Sequence, residues 1–464
     1  MDRMDAVFWF LTQLGPIVGL VLGVFFVSHI LLQKRTPAGT IAWLLVIVLV
    51  PYVGVPLYLL LGGRKMRRTA ERKTPLALDP KASLDDEAAA IDRLLRTYGM
   101  PPAEPGNRVT LCGEGEQIYR CLADLIDNAE ESIYISTFIF QTDAVGRAIR
   151  RRLVHKATQG LDVRVLMDGV GSLHTVWRFF RPLLRAGGRI AYFIPVLHRP
   201  FRGRTNLRNH RKIVIVDGRT VLAGGTNIGA EYIGPEPDPD RWKDLAFVLE
   251  GPAVRHYLKV FCADWTFAAG PDDSMRQASL PAPIPGSQIV QVLPSGPDVP
   301  NDALYDALLS AVYAAQERIF VVTPYFIPDE SLAQALMLAA RRGVAVHVLV
   351  PERSNHRLAD LVRGNYLREL QQTGARVHLY TRSMLHAKVI QIDHEFVVLG
   401  SANMDIRSLF LNYEIAMFCY SPDVIMDTDR WIDALLADCR TGVRPVGFVR
   451  TLFEATVRLF APLL

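Results

Sequence analysis

Cysteine and lysine are both scarce in this chain of 464 residues, and each scarcity closes off some chemistry. The five cysteines (Cys112, Cys121, Cys262, Cys419 and Cys439) are scattered and odd in number. They form no C-x-x-C pair, which argues against a disulfide framework, a zinc ribbon or a thioredoxin-like redox site. They read as reduced, mostly buried thiols in a cytosolic setting. No grouping of Asp, Glu and His has metal-ligand spacing, so the expectation is no metal and no cofactor. No basic stretch precedes the first apolar run and no small-residue cleavage site follows it, which argues against a removed secretory signal. With lysine rare, the net charge of +5 is carried mostly by arginine. Arginine grips phosphate bidentately and suits an anionic surface or substrate. A G+C-rich genome would leave the same bias.

Apolar residues, by contrast, are abundant: half of the chain is hydrophobic and the mean hydropathy is +0.16. Residues 7–32 and 41–61 are two nearly uninterrupted apolar runs. Each is long enough for a membrane crossing, which takes about 20 residues. Pro51, Gly54 and Pro56 place a bend in the second, so a kinked or re-entrant helix is an alternative there. Lys34 and Arg35 lie between the runs, whereas Arg64, Lys65, Arg67, Arg68, Arg72 and Lys73 follow the second. The heavier basic cluster stays inside, which predicts a two-pass hairpin with both termini cytoplasmic. Residues 66–106 read as a linker with one short helix opened by a Ser83/Asp86 capping pair.

The chain then carries one signature twice. His210, Lys212 and Asp217 read H-x-K-x-x-x-x-D and are followed by Gly224, Gly225 and Asn227. His386, Lys388 and Asp393 repeat that spacing, followed by Gly400, Ser401 and Asn403. The surroundings repeat as well. Apolar, strand-like segments at 132–140 and 318–326 are each preceded by a helical run, at 117–128 and 303–316. Helices at 144–158 and 331–342 lead to buried strands at 162–167 and 345–350. Short apolar runs between helices predict parallel strands in an α/β layer structure. The motifs themselves fall on strands at 210–216 and 386–392, where residues two apart face the same way. That places each His beside its Lys. Glycines before each Asn let the backbone come close. Two such sets predict one pseudo-twofold site for phosphate chemistry, in which imidazoles act as nucleophile and acid/base while Lys and Asn neutralise oxygens.

In order and spacing these motifs resemble the duplicated H-K-D motifs of the phospholipase D superfamily. The stretch TIAWLLVIVLVPYVGVPLYLLLGGRK resembles the N-terminal anchor of bacterial cardiolipin synthases of that superfamily. The resemblance covers nearly the whole chain. It implies an α/β fold of two pseudo-symmetric phospholipase D-like sandwich halves behind an N-terminal transmembrane helical hairpin. The expected divisions are an anchor at 1–65, a linker at 66–106, halves at 107–282 and 283–445, and an amphipathic C-terminal helix at 446–464. It also implies a metal-free reaction on a phosphodiester through a phosphohistidine. The candidate catalytic set is His210, Lys212, Asp217, His386, Lys388 and Asp393, with Asn227 and Asn403 binding substrate. The family pattern makes His210 the nucleophile and His386 the acid/base, although the residues alone leave the pair symmetric. The two motif aspartates are structural in family terms. The family also places a histidine-orienting acid on the strand after each Asn. Asp244 in the first half and Glu414 in the second fit, with matching flanks Asp244-Leu245-Ala246 and Glu414-Ile415-Ala416.

The expected activity is cardiolipin synthesis from two phosphatidylglycerols, in the inner membrane with the catalytic region cytoplasmic. The expected partners are phosphatidylglycerol and anionic lipids, not nucleic acid; the oligomeric state is not written in the sequence. A hydrolytic phospholipase D, a transferase using another alcohol, a nuclease and an inactive scaffold are the alternatives. Arg199, Arg202, Arg204, Arg208 and Arg211 form a basic cluster before His210, read either as a lipid-headgroup loop or as a solvated one. At the C-terminus, Arg450, Glu454 and Arg458 make a narrow polar stripe beside Phe448, Leu452 and Phe453. That pattern suits the membrane interface, with packing onto the folded body as the alternative.

Overall fold

The computed structural model describes residues 24–28, 30, 37–50, 52–55, 58, 73, 76, 90–173, 175, 177–194, 207–270, 273, 275, 284–299 and 301–458. Most of the first apolar run, the Ser83/Asp86 pair, and Arg199, Arg202 and Arg204 lie outside them. The chain divides into two compact units, residues 1–69 with 197–206, and residues 70–196 with 207–464.

In the smaller unit, helix α1 (Pro37–Leu49) is 13 residues long, about 20 Å at 1.5 Å per residue. A hydrocarbon core is about 30 Å thick. The helix is interrupted at Val50, and residues 52–55 are helical again. A Cβ on Gly54 would lie 2.5 Å from the Val46 carbonyl oxygen, so the chain folds back closely enough there to require glycine. Phe26, Ile30, Ile47, Val55 and Tyr58 form a small buried cluster. Phe25, Val48 and Leu49 are exposed. Among the described residues no helix is long and apolar enough to cross a membrane.

The larger unit is built twice from one pattern. After α2 (Ala90–Thr97), the first half runs β1 (Glu104–Cys112), α3 (Gly115–Asp127), β2 (Ser132–Thr137), α4 (Ala144–Thr158), β3 (Asp162–Asp168), α5 (Trp177–Arg185), β4 (Arg189–Phe193), β5 (Ile213–Val216), β6 (Thr220–Gly224), β7 (Ala246–Glu250) and α6 (Val254–Ala269). The second runs β8 (Gln288–Ser295), α7 (Ala303–Ala314), β9 (Arg318–Val322), β10 (Phe326–Ile327), α8 (Glu330–Arg341), β11 (Ala345–Pro351), α9 (Arg357–Gln372), β12 (Arg376–Tyr380), β13 (Val389–Ile392), β14 (Phe396–Gly400), β15 (Met404–Asp405), α10 (Ile406–Phe410), β16 (Glu414–Cys419), α11 (Pro422–Leu436), β17 (Cys439–Thr441) and α12 (Phe448–Arg458).

Strand order in the large sheet is β17-β12-β11-β9-β13-β14-β16-β8-β1-β7-β6-β5-β2-β3-β4. Read outward from the β8–β1 junction, the two arms match as far as β12 and β4, with β17 an additional edge strand, so β2 answers β9, β3 answers β11 and β5 answers β13. Side chains alternate between two cores, as a period of two demands. Ile133 and Ile135 of β2 pack under helices α3 and α4, while Tyr134 between them enters the core shared with the other arm. Likewise Ile319 and Val321 of β9 face the helices of their own half, and Phe320 and Val322 face the shared core. That middle core draws on both arms, with Phe247 and Leu249 from one and Val389, Leu399 and Met417 from the other. Each fully buried Val, Leu, Phe or Met there contributes about 1.5–3 kcal/mol. The result is an α/β sandwich of two halves packed sheet to sheet.

Helix α12 departs from the membrane-interface expectation on one side. Glu454, read as part of a water-facing stripe, is 1 % exposed and is held by Arg368 of α9 and by Arg450. A charge on α9 thus turns Glu454 inward, while Arg450 stays exposed. Phe448, Val449, Leu452 and Phe453 are left exposed.

Candidate active site

The H-x-K residues do not begin strands β5 and β13 but sit on extended lead-ins, because each lead-in pairs with the opposite half. The His210 amide donates to the Tyr413 carbonyl (2.9 Å), and the Tyr413 amide donates to Arg208 (2.9 Å). Symmetrically, the His386 amide donates to Lys243 (2.7 Å), and the Lys243 amide to Met384 (2.8 Å). These contacts bring the two motifs into the seam between the halves.

The imidazole contacts cross the same seam. Nδ1 of His210 lies 2.9 and 3.1 Å from the two carboxylate oxygens of Glu414 and 3.1 Å from the Ser401 carbonyl. Nδ1 of His386 lies 2.8 Å from Asp244. Each histidine is therefore held by an acid from the other half. Sequence reading assigned one acid to each half; only the packing of the halves shows which histidine each serves. Fixing Nδ1 against a carboxylate sets the tautomer and leaves Nε2 for chemistry. Rings complete the walls: Phe138 meets His210 edge-on at 5.0 Å, and Tyr232 and Trp242 lie 5.3 and 5.4 Å from His386.

Both lysines fold back over their histidines. Lys212 Nζ donates to the His210 carbonyl at 2.7 Å, and Lys388 Nζ lies 2.9 Å from His386 Nδ1. Lys212 and Asn227 line one small cavity, and Lys388 and Asn403 line its counterpart. Asn227 accepts from the Ile139 amide (3.1 Å), while the buried Asn403 Oδ1 has no partner among the described residues. Gly225 is needed because a Cβ there would sit 2.4 Å from Asp244 Oδ1 and 2.9 Å from Lys388 Cδ. Its counterpart Ser401 instead donates its hydroxyl to Glu414 at 2.5 Å.

Burial dominates the electrostatics. It lowers the proton affinity of His210, and it holds His386 down to about 3, with Lys388 adding repulsion. It also lowers Lys388 to about 8 and Lys212 in the same direction. Burial alone would raise Glu414 and Asp244. The nearby lysine charges and the hydrogen bonds from His386 and His210 overcome it, so both carboxyls stay below their usual range. The arrangement presents two neutral imidazoles held at Nδ1, with Lys388 Nζ also 3.2 Å from His386 Nε2, and two ionised acids behind them. That equipment suits attack on, and protonation around, a phosphorus centre.

Comparison with known proteins gives the same answer. A family model described as "Cardiolipin synthase, PLD-like domain" matches residues 122–265 and 308–436, and one described as "Phospholipase_D-nuclease N-terminal" matches 21–63. The chain belongs to the cardiolipin synthase family of phospholipase D-like proteins. Cardiolipin synthase 1 of Bacillus cereus is 31% identical over 96% of this chain and 92% of its own length. Cardiolipin synthase A of Pseudomonas putida is 33% identical over 87% of this chain and 88% of its own. A phosphatidylserine synthase from Haemophilus influenzae, at 15% identity, has the same fold, with a TM-score of 0.60 over 80% of this chain and 98% of its own. The two segments that match the cardiolipin synthase model each contain one His–Lys–Asn set and one of the two acids.

Two groups of candidate residues stand elsewhere. Asp217 and Asp393 end the hairpin strands, seven residues or about 20 Å of extended chain beyond their histidines. Both have left-handed backbones, at φ 53° and 48°, a conformation Asp tolerates. Asp217 accepts from the amides of Glu130 (2.9 Å), Glu131 (2.7 Å) and Ser132 (2.8 Å). Asp393 accepts from Gln316 (2.9 Å), Glu317 and Arg318 (both 2.8 Å). Each pins the start of the neighbouring strand. Of the basic cluster, Arg208 and Arg211 lie among the described residues, and neither faces solvent. Arg211 points away from its neighbours His210 and Lys212, is fully buried, and pairs with Asp264 (2.7 Å) and Asp298 (3.3 Å). Arg208 is buried beside Asp168. Period-two alternation was the signal that would have set Arg211 apart from a solvent-facing loop.

Proposed function

We propose that this chain is a membrane-attached phosphatidyltransferase that joins two phosphatidylglycerols into cardiolipin and releases glycerol. The observation that carries the reading is the crossed pairing of His210 with Glu414 and His386 with Asp244, which yields two oriented imidazoles in one buried seam. His210 Nε2 attacks the phosphorus of the first lipid, and His386 protonates the departing glycerol oxygen. The resulting phosphatidyl-His210 is then attacked by a headgroup hydroxyl of the second lipid, whose proton passes to His386. The P–N bond breaks and cardiolipin leaves. His386 is neutral in the free site, and the negative charge of the bound phosphodiester raises its proton affinity. It thus becomes an acid when a leaving group is present. Lys212, Lys388, Asn227 and Asn403 hold the non-bridging oxygens.

Attachment to the inner membrane, with the catalytic unit cytoplasmic, is supported by the two apolar runs and by the exposure of Phe25, Val48 and Leu49. Attachment raises the local concentration of lipid alcohol relative to a freely diffusing enzyme. The test is purified protein with headgroup-labelled phosphatidylglycerol. Cardiolipin with equimolar glycerol is expected. Phosphatidic acid as sole lipid product would make the enzyme a hydrolase instead.

A further inference from the structure

The strands into which the histidines lead fix which edge of the sheet the site occupies. His210 leads into β5, which runs antiparallel to β2, and β2 is parallel to β3. His210 therefore lies at the C-terminal end of β3. By the same pairing, His386 lies at the C-terminal end of β11. The loops leaving β3 and β11 thus border the site. The first is tied to it directly, since Asp168 at the end of β3 accepts from the Asn209 amide at 2.9 Å.

The loop after β3 and the first turns of helices α5 and α9 carry side chains unsuited to water. After β3, Leu173 and Trp177 are 55 % and 53 % exposed. Helix α5 buries Phe180 and Leu183, and presents Arg178 and Arg181 to solvent around Trp177. After β11, Leu358 is 55 % exposed beside an exposed Arg357. Apolar tips flanked by arginine, repeated at corresponding places in two halves, match an anionic bilayer: the tips enter the acyl boundary and the guanidiniums stay among phosphates.

We propose that these two loops, with the starts of helices α5 and α9 that follow them, are the surface by which the catalytic unit docks on an anionic membrane, seating the site over headgroups still anchored in the bilayer. The proposal rests on the substrate being a phospholipid, as argued above. A buried site can reach a headgroup phosphate without extracting the lipid only if its rim enters the interface. Trp177 is the natural probe of that contact.

The experiment uses the full chain in proteoliposomes of phosphatidylglycerol, and soluble dihexanoyl-phosphatidylglycerol as a monomeric substrate. Activity is read as total phosphodiester turnover, so it scores transfer and hydrolysis alike. Replacing Leu173→Ser together with Trp177→Ala is expected to lower turnover in vesicles about tenfold, and to leave turnover of the monomeric lipid within about twofold. Acyl chains carrying bromine should quench a component of the fluorescence that is missing in Trp177→Phe. Equal loss on both substrates, or no loss on either, would overturn the proposal, as would a Trp177 component untouched by bromine. Wild-type release of phosphatidic acid alone would remove the synthase reading and leave the docking result standing.

Discussion

Glu414 of the second half holds the Nδ1 of His210 in the first at 2.9 Å, across 204 positions of sequence. The carboxylate is fully buried, and it is itself fixed by the Ser401 hydroxyl. Neither half can therefore orient its own histidine. The site exists only when both are folded and joined.

Replacing Glu414→Gln keeps the shape and removes the charge that supports a charged imidazole. Turnover is expected to fall roughly 10²- to 10⁴-fold with little change in KM, the pattern of a lost orienting acid. A variant with unchanged kcat would show that His210 needs no such partner.

The order of the two histidines is open to a trapping experiment. Denaturing quench during turnover of labelled lipid should recover a phosphatidyl adduct from wild type and none from His210→Ala. In His386→Ala a slowly formed adduct on His210 is expected. Normal adduct yield in His210→Ala would assign the attack to His386.

Stability should depend on pH through His386. Its folded value of about 3 lies below the 6.5 of an unperturbed histidine. Between these values the unfolded chain binds a proton that the native site refuses, so native stability is lost as the pH falls. Denaturant midpoints measured from pH 6.5 down to about 4.5 should decline, and His386→Asn should flatten part of that slope. An identical slope in wild type and variant would contradict the burial argument.

Asp393→Ala should act on stability and not on chemistry. It removes an acceptor shared by three backbone amides at 2.8–2.9 Å. Losing it is expected to cost roughly 2–4 kcal/mol, with kcat of the folded enzyme within about twofold of wild type. Thermal unfolding and active-site titration separate the two quantities. A large loss of kcat at full stability would return Asp393 to the catalytic set.

Much of this protein is local and so was written in the sequence. The repeated H-x-K pattern followed by Asn, the apolar strands and the flanking helices each depend on residues within a turn or a strand of one another. Alternation along an extended segment put His210 and Lys212 on one face without any tertiary information. Only the tertiary structure decided the partners that lie far apart. It crossed the two acids between the halves and sank Arg211 into a pair with Asp264 and Asp298. It moved Asp217 and Asp393 to strand anchors and turned Glu454 inward onto Arg368. The physical reason is common to all four: a polar or charged group is left in water or held by a countercharge or hydrogen-bond partner according to which surfaces meet, and sequence periodicity reports a residue's own face but not what is packed against it.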